Sequence, residues 1–476
     1  MREPSEAGVG AARPTLGEDP GGPLVLLGNF EVEDHWAEGE LGLPRPPFSG
    51  GRAVVNRLDE LALLLAGPGD HVVLKAPPDD DWLAYLRSLG VRLPGILAVR
   101  DQDPGRTVGE DAVEDTALKA ELARLAEGGA RLWPHGVSRV EERLAGLTGL
   151  RLATAPAAVC KAVNSKIYSR GLNAEYGLRQ PEGRTCQDLD EFADACLWAR
   201  ERLGRGGTVV LKDAFGVSGK GVLAVAETAA LDRVQRMITR RAERQGRRDL
   251  ALLVEEWVAK RADLNYQFTV GRDGTVRFDF VREALTEGGV HAGHWMPPHL
   301  TDRQQSQVRE VAAVLGRRLA ADGYFGVVGV DAMVDPDGGL YPVVEINARN
   351  NMSTYQERLR STLLADAAGT ALAGHFPLRP ARPVPFAELR DRLRGLLFDT
   401  GTGTGFLVND FATVNAAATR PDRPEGPFDG RLYGITVAAS RQEATALHRA
   451  VADRLGDLSR PGGTRTGEPH RERSTT

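Results

Sequence analysis

Short, wholly apolar runs alternate with amphipathic stretches over the first third of the chain. Leu24 to Leu27, His71 to Lys75 and Ile96 to Val99 are such runs, as expected of strands buried on both faces. Asp80 to Leu89 and Ala112 to Ala126 place apolar residues at helical spacing. Strands alternating with helices predict an α/β unit around a mainly parallel sheet, from Leu24 to about Pro156. The turn after the first run reads Leu27-Gly28-Asn29-Phe30, which is not the G-x-G-x-x-G of a dinucleotide site.

The pattern then changes. Asn164 or Ser165 can cap a helix that ends at Gly177, because short polar side chains take the free N–H groups of a first turn and glycine accepts a left-handed stop. From about Thr208 the chain reads strand, Gly-rich loop, strand, then a helix over Ala229 to Arg244, and a further α+β stretch runs to about Gly374. Pro377 to Pro385 is a Pro-rich junction. Beyond it, a strand near Leu432 to Ala438 and a helix from about Ser440 predict a small α+β domain. The expected division is a tail over 1–23, domains over 24–156, 157–376 and 386–458, and a tail over 459–476.

Composition narrows the function. The chain has 476 residues, 42% hydrophobic and 26% charged, with net charge −5. That is room for about three domains and no electrostatic basis for nucleic-acid or anionic-membrane partners. No apolar run reaches the ~20 residues of a membrane span. The acidic, Gly/Pro-rich start lacks the basic and apolar regions of a signal peptide, so a cytoplasmic protein is expected. Cys160, Cys186 and Cys196 show no C-x-x-C spacing and read as reduced thiols. Only seven of the 60 basic residues are lysines. A retained Lys, a compact point charge, therefore carries some information.

Three motifs carry chemistry. The strand Val209-Val210-Leu211-Lys212 leads into Phe215-Gly216-Val217-Ser218-Gly219-Lys220-Gly221 and then Val222 to Val225. Glycines let backbone N–H groups approach phosphate oxygens, and lysines add charge. The loop opens a strand rather than a helix, so it predicts a hairpin lid, not a P-loop. Lys166 sits in a helix first turn, where anions are favoured. Second, Leu252-Leu253-Val254 runs into Glu255-Glu256-Trp257-Val258, a strand end that can offer backbone groups to a purine edge and a carboxylate to a ribose. Third, Val330 to Val334 and Leu340 to Asn347 flank Asp335-Pro336-Asp337-Gly338-Gly339, a hairpin signal. Counting outward from the turn sets Met333 beside Val343 and Asp331 opposite Glu345, with Asn347 on the Glu345 face. Two carboxylates so placed repel unless a dication lies between them. Their hard oxygens suit Mg²⁺. Pro342 leaves that register uncertain by one residue.

In order and spacing these motifs resemble the ATP-grasp superfamily, which includes D-alanine–D-alanine ligase and biotin carboxylase. The resemblance covers about Ala157 to Gly374, with Glu345-Ile346-Asn347-Ala348-Arg349 its most specific stretch. It implies a pre-ATP-grasp α/β domain, an ATP-grasp fold of two α+β subdomains clamping ATP, and the small C-terminal α+β domain. Asn164 to Lys166, Asn347 to Ser353 and the C-terminal domain further resemble peptide ligases of the pheganomycin type. Those join the carboxyl of an unusual guanidino amino acid to a peptide amine. The implied cofactors are ATP and Mg²⁺, the implied partners small amino acid and peptide substrates, and a homodimer is left open.

Carried over residue by residue, the resemblance gives Lys166 and Lys212 the phosphates, with Phe215, Gly216, Ser218, Gly219 and Lys220 as the lid. It gives the backbones of Glu256 and Val258 the adenine, with Glu255 and Trp257 at the hinge and Asp263 near the ribose. Asp331, Glu345 and Asn347 would hold Mg²⁺, and Arg349 would stabilise an acyl phosphate and a tetrahedral oxyanion. Arg282, ending another apolar strand, would bind the substrate carboxylate or serve as a structural ion pair. His291 and His294 lack a third ligand nearby and read as substrate-loop or surface histidines. Gly401 to Gly405 reads as a mobile loop, and the C-terminal domain as part of the substrate pocket or its closure. Two alternatives stand beside the peptide ligase: the same chemistry with a free amino acid or thiol as acceptor, and a non-catalytic ATP-binding regulator.

Overall fold

The computed structural model describes residues 22–43, 51–216, 221–287, 290–363, 369–419, 426–456 and 458. The tails read from the sequence, apart from residues 22 and 23, lie outside these, as do Val217 to Lys220 of the Gly-rich loop. No helix among the described residues is long and apolar enough to cross a membrane.

Three sheets organise the chain. The first is parallel, with strands β1 (Leu24–Leu27), β2 (His71–Leu74), β3 (Gly95–Ala98), β4 (Arg131–Pro134) and β5 (Arg151–Leu152) in the order β3-β2-β1-β4-β5. Two of the apolar runs become the inner strands β1 and β2, buried on both faces, and the third becomes the half-buried edge strand β3. The helix expected over Ala112 to Ala126 is two, Val108–Glu114 and Thr116–Glu127. Asp115 divides them: its carboxylate accepts from Leu118 N at 2.9 Å and caps the second. A five-residue helix, Val32–Trp36, follows β1. It packs so close to Gly136 that a Cβ there would lie 2.8 Å from Val32 Cγ1.

The second sheet holds β6 (Gly183–Asp188), β7 (Val209–Asp213), β8 (Val222–Val225) and β9 (Asp249–Glu256) in the order β6-β9-β7-β8. β7 and β8 form the expected antiparallel hairpin, Val209 opposite Val225 and Lys212 opposite Val222. Cys186 and Cys196 lie in the core behind this sheet, and all three cysteines are buried and free.

The third sheet is antiparallel: β10 (Ala262–Val270), β11 (Val276–Glu287), β12 (Val290–Met296), β13 (Gly326–Val334), β14 (Leu340–Asn347), β15 (Thr370–Leu378), β16 (Gly405–Asp410) and β17 (Gly430–Ala438). Their order is β14-β13-β10-β11-β12-β15-β17-β16. The Pro-rich junction begins inside β15, and β16 and β17 from the segment after it extend the same sheet. That segment also packs on the first α/β unit. Phe386, Phe406 and Phe411 share a core with Leu58, Leu61, Trp82 and Leu86, and Trp82 Nε1 donates to the Val408 carbonyl at 3.4 Å.

A buried charge cluster sits in the same seam. Glu60 accepts from the backbone N–H groups of Phe411 and Ala412 at 3.2 and 2.7 Å, and Asp410 accepts from Thr413 Oγ1 at 2.8 Å. Asp59, Glu60 and Asp410 are all buried, with Arg57 paired to the first two at 3.4 and 3.6 Å. Burial, reinforced by Glu60, holds the Asp410 carboxyl well above the ordinary aspartate range. Its Oδ2 has no hydrogen-bond partner. A folded-state pKa above the unfolded value gives stability that is present at acidic pH and lost as pH rises through the folded value. We therefore expect stability in urea to fall as pH is raised past the ordinary carboxylate range toward neutrality. Asp410→Asn should flatten that fall, read from denaturation midpoints across pH.

Candidate functional site

A cleft of about 340 Å³ separates the second sheet from the third. Val210 and Lys212 line it from β7, and Glu256, Trp257 and Val258 from the end of β9. Opposite stand Asp263, Leu264 and Asn265 of β10, Asp331 and Met333 of β13, and Glu345 and Asn347 of β14. Lys166, Gly216 and Arg349 complete this end, and Ala284, Thr286, His294, Asn351 and Met352 line the far side.

The facing pair Asp331 and Glu345 is in direct register. Met333, however, pairs with Tyr341 and not with Val343: the ladder shifts between Asp331 and Met333. Pro342, with no N–H to donate, stands in that irregular stretch. Asp331 Oδ1 accepts from Asn265 Nδ2 at 2.9 Å and Oδ2 from Asn347 Nδ2 at 3.0 Å. Burial first, and Glu345 second, push its carboxyl up to about 6. Lys166 Nζ reaches Glu345 Oε1 at 2.6 Å and the Gly216 carbonyl at 3.0 Å.

Lys166 is delivered by its helix, Lys166–Glu175, which Ser165 caps. That helix is stitched to β14: Ile346 N donates to Ser169 Oγ at 3.0 Å, and Asn173 Nδ2 to the Val343 carbonyl at 2.9 Å. Asn164 holds the chain beyond β14 by a two-way bond with Ala348, at 2.9 and 3.2 Å. Arg349 bonds to the Glu33 carboxylate through Nε, to the Asn350 carbonyl through Nη1 at 2.9 Å and to Asn347 Oδ1 through Nη2 at 3.0 Å.

Glu255 turns away from the cleft and is an anchor. Its carboxylate takes Lys212 Nζ at 2.6 Å and Arg170 Nη1 at 2.9 Å. Burial would raise its pKa, but Lys212 and Arg170 outweigh that and hold it below the ordinary value. At the hinge, Glu256 N donates to the Glu182 carbonyl at 2.8 Å and Trp257 N to the Thr208 carbonyl at 2.9 Å, whereas Val258 N makes no backbone bond among the described residues. Asp263 lines the cleft with its carboxylate engaged by Lys260 at 2.6 Å and Thr286 at 2.7 Å.

Two expected site residues stand elsewhere. Arg282 does not line the cleft. It is 1% exposed, covered by the helix Met352–Leu363, and bonds to Glu357 at 2.7 Å and Gln356 at 2.8 Å. Its β11 position pairs with Asn265, its guanidinium is ion-paired to Glu357, and it lines a separate cavity of about 310 Å³ with Phe280 and Met296. Phe215 lines a neighbouring cavity with Asp213 and Arg247, and among the described residues of its loop only Gly216 lines the cleft. Ser218, Gly219 and Lys220 lie outside the described residues, as does the side chain of His291. Among the described residues, nothing from 386–458 lines this cleft, whereas Val437 lines the cavity that Arg282 shares.

Sequence reasoning missed Glu33, Arg170, Asn265 and Asn351. A signal existed for Asn265. In β10, Asn265, Gln267 and Thr269 alternate with Leu264, Tyr266 and Phe268, and all six are buried. A buried polar face must find partners. Here Ser353, Thr354, Asp279 and Asp331 supply them.

Two carboxylates and one amide, with no thiolate or imidazole among them, form an oxygen donor set suited to a hard dication. Among the described residues no group of three His, Cys, Asp or Glu could hold a metal alone, so such an ion needs oxygens from a second molecule. The arrangement can bind a polyanion against Lys166, Lys212 and Arg349.

Residues 58–150 match the family model of the pre ATP-grasp domain. The chain is 25% identical over 304 residues to the [butirosin acyl-carrier protein]–L-glutamate ligase of Niallia circulans, across 63% of this chain and 66% of the relative, just under two thirds of its length. In structure it is similar to biotin carboxylase of Campylobacter jejuni in complex with a β,γ-ATP ligand, with TM-score 0.53, 14% identity, and 91% of each chain covered. It is also similar to the biotin carboxylase domain dimer of Hydrogenobacter thermophilus 2-oxoglutarate carboxylase, solved with MgADP and bicarbonate, with TM-score 0.50, 15% identity, and 90% and 89% covered.

Glu255 should matter to the cleft through Lys212 and Arg170. Glu255→Ala leaves two half-buried cations facing each other, and should destabilise the protein by about 3 kcal/mol. Glu255→Gln, which keeps the acceptor, should cost less. Urea denaturation of the two variants measures the difference.

Proposed function

The chain carries a pre-ATP-grasp domain ahead of an ATP-grasp fold, and from that premise we propose that it is an ATP-dependent carboxylate–amine ligase. The observation that carries the proposal is the facing Asp331–Glu345 pair, with Asn347, Lys166, Lys212 and Arg349 converging on one cleft. The nucleotides bound to the two structural relatives, one with magnesium, support ATP and Mg²⁺ as its cofactors.

On this reading Val258 N–H offers the purine a donor, and the apolar faces of Val210 and Met333 flank it. Lys166 and Lys212 hold the phosphates, and Asp331, Glu345 and Asn347 are the protein's metal ligands. Bound magnesium would neutralise charge on the phosphates during transfer. A carboxylate oxygen attacks the γ-phosphorus, the bond to the β-phosphate oxygen breaks, and ADP leaves. A neutral amine then attacks the acyl carbon. The C–N bond forms, the bond to the phosphate oxygen breaks, and the amine proton passes to solvent. Arg349 supplies N–H groups where negative charge collects on the acyl oxygen.

The finer reading is a peptide ligase, taking the carboxylate of an amino acid, a guanidino amino acid among the candidates, and the amine of a peptide. The relative that acts in butirosin assembly supports a place in antibiotic biosynthesis, and its name favours one second reading: an acceptor presented on a carrier protein. A cytoplasmic location accords with ATP as substrate. A non-catalytic ATP-binding role would give binding without turnover. Mass spectrometry of products from ATP with candidate acids and amines separates these.

We expect ADP and phosphate to form in step with amide, followed by nucleotide chromatography; stoichiometric AMP and pyrophosphate would exclude the acyl-phosphate route. Glu345→Gln removes one anionic ligand at constant shape. It should lower ligation by about 100-fold or more at millimolar Mg²⁺ while circular dichroism stays unchanged. Full turnover in that variant would take Glu345 out of the metal site.

A further inference from the structure

Arg349 owes its orientation to a residue 316 positions earlier in the chain. Glu33 lies in the short helix Val32–Trp36 of the first α/β unit. That helix is fixed on three sides. Val32 and Trp36 are buried, Trp36 Nε1 donates to the Val137 carbonyl at 2.9 Å, and Gly136 admits the helix only because it has no Cβ. Glu33 itself is 6% exposed. One carboxylate oxygen receives Arg349 Nε–H, and the other, also buried, has no hydrogen-bond partner among the described residues. The strand-end loop that carries Arg349 is tied to the same unit, with Asn350 N donating to the His135 carbonyl at 2.9 Å.

We infer that Glu33 is the positioning residue for Arg349, holding the guanidinium toward the reacting acyl group and away from the metal-binding carboxylates. The inference rests on the ligase reading for the role of Arg349. A carboxylate buried with one oxygen unpaired is costly, so the pair is a weak source of stability, and orientation is what it supplies. Arg349 Nε is taken by Glu33, Nη1 by the Asn350 carbonyl and Nη2 by Asn347 Oδ1. Three bonds fix the plane of the guanidinium, which lines the cleft. Asp331 and Glu345 line the same cleft and attract the same cation. With Glu33 gone, only the neutral Asn350 carbonyl and Asn347 amide among its described partners are left to oppose that attraction. Arg349 would then turn onto the two carboxylates and leave the acyl oxygen without its donor.

A misplaced catalytic group of this kind costs about 100-fold in rate. Glu33→Ala is expected to lose kcat by about that factor and, because it leaves Arg349 without its ionic partner, to lower the melting temperature, with KM for ATP and Mg·ADP affinity by calorimetry near wild type. Glu33→Gln keeps an oxygen for Arg349 Nε–H and should recover most of the lost kcat. Wild-type kcat in Glu33→Ala overturns the inference while the ligase reading stands. So does a parallel loss of kcat, nucleotide affinity and melting temperature in both variants, which is the mark of a structural role. A wild-type protein that forms no ADP with any acid and amine defeats the ligase reading, and this inference with it.

Discussion

Two carboxylates held opposite each other in one antiparallel ladder set the terms for the rest of the structure. Asp331 and Glu345 are like charges in direct register, a placement that disfavours folding by itself. The surrounding side chains answer it. Lys166 pairs with Glu345, while Asn265 and Asn347 donate to Asp331. The stitching of the helix Lys166–Glu175 to β14 follows from the same need, since Lys166 must arrive at a fixed distance from Glu345. Even so, burial and Glu345 leave Asp331 with a raised pKa. The protein's own cations only partly compensate the two carboxylates.

How far the sequence revealed this depended on whether the determining contacts were local. The hairpin itself was legible from its turn, but the count failed beside that turn, where Met333 pairs with Tyr341 and Val334 with Leu340. Asp331 still meets Glu345 because the ladder shifts between Asp331 and Met333, where Pro342 has no N–H to donate. The β7–β8 hairpin, the helix at Lys166 and the strand ending at Glu256 carry their signals in short windows. Glu33 does not. It sits where a Gly-rich fingerprint would be sought, and its meaning comes only from Arg349, far along the chain. Arg282 reads as a strand end in the sequence but lies mid-strand in β11, and its partner Glu357 arrives from a separate helix that no local window could supply. The split of Ala112 to Ala126 turned on one capping aspartate whose periodic neighbours continued unbroken.

The C-terminal segment acts on the cleft at a distance. Its strands β16 and β17 lengthen the third sheet, and its aromatic residues lock that sheet onto the first α/β unit. Trp82 and Glu60 both bond to backbone groups of this segment. The first unit is therefore held at a fixed position against the third sheet at two places, through β16 and through the Asn350 loop. Glu33 rides on that unit, and Arg349 on the loop after β14. A short side-chain pair can orient a guanidinium only if the backbones carrying its two halves do not drift. The extra strands line none of this cleft, yet they join the sheet and the unit that carry the two halves of the pair.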